Sequence, residues 1–299
     1  MESSYIKLYQ TGELHKRIKS LTKVLSECVL CPRLCKANRL KGELGYCKAG
    51  AKTVVSSAFP HFGEEAPLVG SRGSGTIFLA HCNLRCIFCQ NYEISHNGEG
   101  EPVETEQLVR FMLMLQQRGC HNINFVTPTH FVPQIIAALP KAIELGLNVP
   151  LVYNCGGYES LHVIKLLDAI FDIYMPDSKF VDQKYAKKYM NAPDYFPVLK
   201  QVLTEMHRQV GILKFDDNGI AYRGLLIRHL VMPEGIAGSS QVLSFISNEL
   251  SEDSYVNIMS QYHPCYEAHY DNTINRRILS KEYSQAIERA KEVGLYRGF

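Results

Sequence analysis

From residue 76 onward the chain alternates two hydrophobic patterns. Short β-branched and aromatic runs occupy 76–81, 122–126, 149–153, 170–175, 225–232 and 255–260, with segments of helical period between them. Apolar runs separated by amphipathic helices are the mark of βαβ units and a parallel sheet. Leu108, Phe111, Met112 and Leu115 predict a helix over 105–118, with Thr105 capping its first turn and Gly119 stopping it. Ile135, Ile136, Leu139 and Ile143 predict a second helix, which Pro140 should kink or divide. Leu161, Ile164 and Leu167 predict a shorter third. The stretch 182–208, interrupted by Pro193 and Pro197, predicts two more, followed by a hairpin around Asp217, Asn218 and Gly219. Val242, Phe245 and Ile246 mark a helix before the sixth strand, and Ser280 is placed to cap the last helix, over 281–293.

Six strand-helix units suit an α/β fold of the open, partial (β/α)6 TIM-like barrel type over 76–299, ending in a C-terminal helix. Residues 1–75 lack this rhythm and predict a small Cys-rich N-terminal metal module with its linker.

Composition changes the picture in one respect. The 299 residues are 46% hydrophobic and 21% charged, which fits a packed globular chain and excludes fibrous and disordered classes. Lys plus Arg number 32 against 30 for Asp plus Glu, so the whole-chain field is weak and nucleic acid is disfavoured as a partner. No run reaches the roughly 18 apolar residues of a membrane span, and the charged start lacks a signal-peptide centre, so a cytoplasmic protein is expected. In a reducing compartment ten cysteines are unusual. Seven fall in two groups, Cys28, Cys31, Cys35 and Cys47, then Cys82, Cys86 and Cys89. Clustered thiols of this kind point to metal.

The second group follows the first barrel strand, where parallel α/β folds place their sites. Three thiolates at x3 and x2 spacing can each bind a different iron of a four-iron cluster, leaving the fourth iron open to chemistry. The competing reading is a zinc site completed by His81 or His96. The first group, with x2, x3 and x11 spacing, supplies four thiols and hence a closed site for zinc or a second iron–sulfur cluster.

The string from Cys82 to Asn91, with Phe88 just before the last cysteine, resembles the signature of the radical S-adenosylmethionine (radical SAM) enzymes. It is similar in particular to an uncharacterised branch related to the pyruvate formate-lyase activating enzymes, as are the N-terminal Cys-x-x-Cys-Pro-Arg-x-x-Cys segment and the stretch 257–264. The resemblance implies that Cys82, Cys86 and Cys89 hold a 4Fe-4S cluster whose open iron chelates S-adenosylmethionine. It implies reductive cleavage to a 5′-deoxyadenosyl radical, then hydrogen abstraction from a substrate such as a glycyl residue of a partner protein. An electron donor of the flavodoxin or ferredoxin kind is implied as a second partner, and Phe88 is expected near the adenine.

Other strand ends offer further candidates. The family's Gly-Gly-Glu-like turn after the second strand is absent; Thr127 and Thr129 stand there instead, able to accept from an ammonium or merely to end the strand. Asn154, before paired glycines 156 and 157, suits a ribose hydroxyl or carboxylate. Asp177 and Lys179 resemble the Asp-x-Lys of the activating enzymes, with Lys179 suited to the methionine carboxylate. Arg228 alternates with apolar neighbours and is expected to face the barrel interior, as carboxylate binder or structural ion pair. His263 lies at the sixth strand end, where the family has a histidine near the cofactor. The segment 61–65, an imidazole followed by paired carboxylates, stays open between approaching substrate, capping the barrel mouth and binding the N-terminal module. Cys155 reads as a small core residue, Cys120 as isolated, and Cys265 as a spare thiol close behind His263. A non-catalytic iron–sulfur or zinc protein is the competing class.

Overall fold

The computed structural model describes residues 3–299. The N-terminal elements are α1 (Ser4–Gln10), α2 (Glu13–Lys23), β1 (Thr53–His61) and the one-turn α3 (Ala66–Val69). Next come β2 (Ser74–Leu79), α4 (Tyr92–Ser95), β3 (Glu101–Val103), α5 (Thr105–Gln117), β4 (Ile123–Val126), α6 (Val132–Glu144), β5 (Leu151–Cys155) and α7 (Leu161–Leu166). The chain continues through β6 (Ile173–Ser178), α8 (Gln183–Met190), α9 (Tyr195–Val210), β7 (Lys214–Phe215), β8 (Ala221–Leu230), α10 (Ser239–Phe245), β9 (Tyr255–Met259) and α11 (Ser280–Glu292). No helix among the described residues is long and apolar enough to cross a membrane.

Strands β2, β4, β5, β6, β8 and β9 run parallel and lie side by side in chain order. This is the expected six-unit partial barrel. Along the outer edge of β2 runs β1, antiparallel, with β3 beyond it, so β9 does not close the ring there. Register sorts the side chains. Ile77, Phe125, Tyr153 and Tyr174 are paired across neighbouring strands and face the helices, where they join Leu108, Met112, Ile135 and Leu199 in the main core. The alternate positions Asn124, Val152 and Ile173 turn inward, as strand pleating requires. Inside the barrel a second, smaller core forms from Val152, Ile173, Met175, Leu226 and Leu68, the last supplied by α3. The segment around α3 therefore plugs the barrel at the N-terminal ends of its strands. Asn122 anchors it by donating to the Leu68 carbonyl at 2.9 Å.

Several local expectations need correction. The boundary near residue 75 does not separate two bodies, because β1 belongs to the barrel sheet and Tyr5, Leu14 and Leu21 belong to the main core. Tyr5 Oη donates to the Val149 carbonyl at 2.9 Å, and the Ser4 amide to Asp172 at 3.0 Å. Pro140 does not divide α6, whose buried Ile136, Leu139 and Ala142 hold one continuous helix across it. Thr105 is the first residue of α5 rather than its cap, and Ser280 opens α11 behind Leu279, whose amide donates to Glu282 at 2.7 Å. The hairpin forms, but its second arm is the start of β8, so one strand serves both hairpin and barrel.

Candidate active site

At its C-terminal end β2 releases the chain into the loop 82–89. His81 (φ 71°) and Arg85 (φ 51°) are left-handed there, a conformation that costs free energy in non-glycine residues and persists only where surroundings enforce it. The turn brings Cys82, Cys86 and Cys89 onto one cavity of about 250 Å³, which Phe88, Thr127, Asn154, Gly156, Asp177, Lys179 and Arg228 also line. All three thiols are free of disulfides. Leu84 donates its amide to Cys82 Sγ at 3.3 Å, and Cys89 Sγ lies 3.1 Å from Ser95 Oγ. Burial pushes the Cys82 thiol up to about 11 and raises Cys86 as well, so both thiolates call for a cation beside them. Among the described residues no three His, Cys, Asp or Glu side chains converge on a single ion. His96 Nε2 is already 3.0 Å from the Cys86 carbonyl. Of the two histidines expected to complete a zinc site, His96 is thus turned to the backbone instead.

Opposite the thiols, on neighbouring strands, stands a charged group whose side chains keep about 15% of their surface exposed. Asp177, on β6, accepts from Lys179 Nζ at 2.7 Å and from Arg228 Nε at 2.7 Å. Arg228, on β8, also donates to Asn154 Oδ1 at 2.7 Å, and its Nη1 lies 3.4 Å from Glu64. Burial works to raise Asp177, but Arg228 and Lys179 overcome it and hold the carboxyl below its usual range. Burial likewise opposes the charge on Lys179, and Asp177 and Cys86 restore it. The cavity wall is therefore ionised at neutral pH, with one ammonium beside three thiols.

Residues 76–212 match the Radical SAM superfamily. An uncharacterized protein of Methanocaldococcus jannaschii is 30% identical over 295 residues, covering 94% of this chain and 79% of that one. The chain belongs to the radical SAM superfamily. Membership implies a 4Fe-4S cluster and S-adenosylmethionine. The donor set fits both: three thiols on one loop leave one iron without a protein ligand, and the adjoining cavity carries an ammonium and a carboxylate.

In this radical SAM fold the expected residues divide. Phe88, Thr127, Asn154, Asp177, Lys179 and Arg228 line the cavity. Phe88 is fixed there by edge-to-face contacts with Phe180 and Tyr262, at ring-centre distances of 5.7 and 6.3 Å. Arg228 faces inward as its alternation required, but all three guanidinium nitrogens meet protein partners, so it braces the wall and has no free fork for a ligand carboxylate. Thr129 does not reach the cavity: its hydroxyl donates to buried Glu159 at 2.8 Å, which also accepts from Tyr153 at 2.9 Å. The neighbouring His130 is buried, with Nε2 2.7 Å from the Ala80 carbonyl. His263 is absent from the cavity wall and sits behind Gln90, 3.2 Å away.

Two further side chains shape the site. Tyr195, at the start of α9, donates to the carbonyls of Gly156 and Asp177 and accepts from the Lys179 amide, tying two strand ends together. A tyrosine after Pro193 carries no sequence signal for that role. Glu64 rises from the α3 plug to accept from Asn124 at 2.6 Å and Asn154 at 3.1 Å. Glu65 accepts from Asn257 at 2.6 Å, and burial raises its carboxyl. Both carboxylates thus form the barrel floor beneath the cavity, and neither caps the mouth.

Proposed function

We propose that this chain catalyses reductive cleavage of S-adenosylmethionine followed by hydrogen abstraction from a glycyl residue of a partner protein. The single observation that carries the reaction class is the convergence of three free thiols and the Asp177–Lys179 pair on one buried cavity. Cys82, Cys86 and Cys89 would hold the cluster, which, with S-adenosylmethionine bound and one electron from a flavodoxin- or ferredoxin-type donor, would supply reductive cleavage of the sulfonium. Lys179 Nζ presents a charged donor for a carboxylate, and Asp177 keeps that ammonium in place. Phe88 supplies an apolar wall suited to a purine ring. Thr127 and Asn154 offer the polar groups on the facing strand ends, while Tyr195 and Arg228 hold those ends in register. The Asp-x-Lys at the fourth strand end, similar to that of the activating enzymes, supports the glycyl target.

The test is anaerobic reconstitution, reduction with dithionite and assay for 5′-deoxyadenosine. Absence of that product from protein carrying a full cluster overturns the reaction class. Electron paramagnetic resonance of mixtures with glycyl-radical enzymes then tests the target. Product formation without a glycyl doublet in any of them overturns the glycyl half and moves the substrate to another peptide or a small molecule.

A further inference from the structure

The four N-terminal cysteines form a second thiol cluster with the same local construction as the first. All are free, and Cys28, Cys31 and Cys47 are buried. The chain folds back on itself between them. The Cys28 amide donates to Ala37 at 3.1 Å, the Lys36 amide returns to Cys28 at 3.0 Å, and Cys35 Sγ lies 3.9 Å from the Cys28 carbonyl. A Cβ on Gly45 would fall 2.3 Å from Cys35 Sγ, so only glycine leaves that sulfur room, two residues before Cys47. Cys31 is near enough to feel the charges of Cys47 and Cys28, and Cys47 those of Cys28 and Cys35.

The backbone repeats what the loop 82–89 does. Leu34, Lys36 and Lys48 are left-handed, with φ of 43°, 56° and 64°, and flank Cys35 and Cys47, just as His81 and Arg85 flank Cys82 and Cys86. Five of the ten non-glycine residues with positive φ thus adjoin a cysteine of these two groups. Alternating right- and left-handed residues point successive amides into one concavity, an arrangement used at iron–sulfur sites.

The second group is also joined to the first. Arg33, between Cys31 and Cys35, donates from Nε to the Asn83 carbonyl at 3.0 Å and from Nη2 to the Met190 carbonyl at 2.8 Å, and from Nη1 to the Asn191 carbonyl. Its guanidinium lies over the rings of Tyr46 and Tyr158, 4.0 and 5.1 Å from their centres. Asn83, inside the loop 82–89, donates in return to the Tyr158 carbonyl at 2.6 Å.

We propose that Cys28, Cys31, Cys35 and Cys47 hold a second iron–sulfur cluster, and that Arg33 is the positioning residue that clamps the first cluster's loop to it. This concerns a separate site and does not rest on the hydrogen-abstraction reading.

The test uses full-length protein reconstituted anaerobically. In the triple variant Cys82→Ala, Cys86→Ala, Cys89→Ala about half of the wild-type iron and sulfide should remain, with the visible charge-transfer band of a cluster. Recovery of zinc without sulfide, or of no metal in soluble folded protein, overturns the second cluster. Arg33→Lys keeps the charge but cannot span three carbonyls. It should retain wild-type iron content while weakening at least tenfold the S-adenosylmethionine concentration dependence of the first cluster's paramagnetic spectrum. A spectrum and titration indistinguishable from wild type overturn the clamp, and leave the metal assay to decide the second cluster independently.

Discussion

The mouth and the floor of the barrel are both polar and both buried, yet they behave differently as chemistry. At the floor Glu64 meets Asn124, Asn154 and Arg228, and Glu65 meets Asn257, so the charges find partners within the protein, while Asn124 Oδ1 stays unpaired. At the mouth Cys82, Cys86 and Cys89 share a cavity with Lys179 and lack one another's company in any disulfide or single-ion site. Polarity inside a barrel does not by itself mark the reacting end. Unused bonding capacity facing open volume does.

If that contrast holds, changes at the mouth should strike cofactor chemistry and changes at the floor should strike folding. The largest effect is expected from Cys86→Ala, which should lose the first cluster and bring 5′-deoxyadenosine formation to background in an anaerobic product assay. Retention of product would dissolve the distinction. Leu68→Ala, at the plug, should cost about 3 kcal/mol in urea unfolding, as expected for emptying a fully buried leucine site. The same variant, compared while folded, should bind S-adenosylmethionine within about twofold of wild type by calorimetry.

Glu159 tests the contrast beside the mouth, as a buried acid without an ionic partner. Burial raises its carboxyl from 4.5 to about 7. The folded state therefore holds this proton more tightly than the unfolded chain. Its contribution to stability is whole below about pH 4.5 and is lost as pH rises through about 7, a change of up to about 3 kcal/mol. Unfolding of wild type and Glu159→Gln between pH 4.5 and 8 should diverge by that trend; parallel curves would show the acid to be relieved by solvent. The smallest effect belongs to Lys179→Met, which should weaken S-adenosylmethionine binding by about 2 kcal/mol, roughly thirtyfold, through one lost charge-assisted contact. Unchanged affinity would remove Lys179 from the binding wall.

Much of this was legible along the chain, for local reasons. Parallel strands buried on both faces read as apolar runs, and the cysteine spacing is set by one short loop. Arg228 was also readable, because strand alternation fixes its face. Thr127 and Thr129 show where such reading stops. Two residues apart, they would share a face in a continuing strand, but β4 ends at Val126 and Thr127 turns left-handed at φ 60°, which sends Thr129 to Glu159 instead. The attachment of residues 3–75 and the arrival of Glu64 at Arg228 depend on partners more than a hundred positions away in part, and no local pattern encodes them.

The plug has a consequence for how this barrel could be rebuilt. Leu68, Glu64 and Glu65 reach the interior from one short stretch between β1 and β2, whereas the rest of the floor is shared among several strands. Exchanging that stretch would replace the floor's acidic complement in a single graft while every strand, Asp177 included, and the cysteine loop at the far end kept its own sequence.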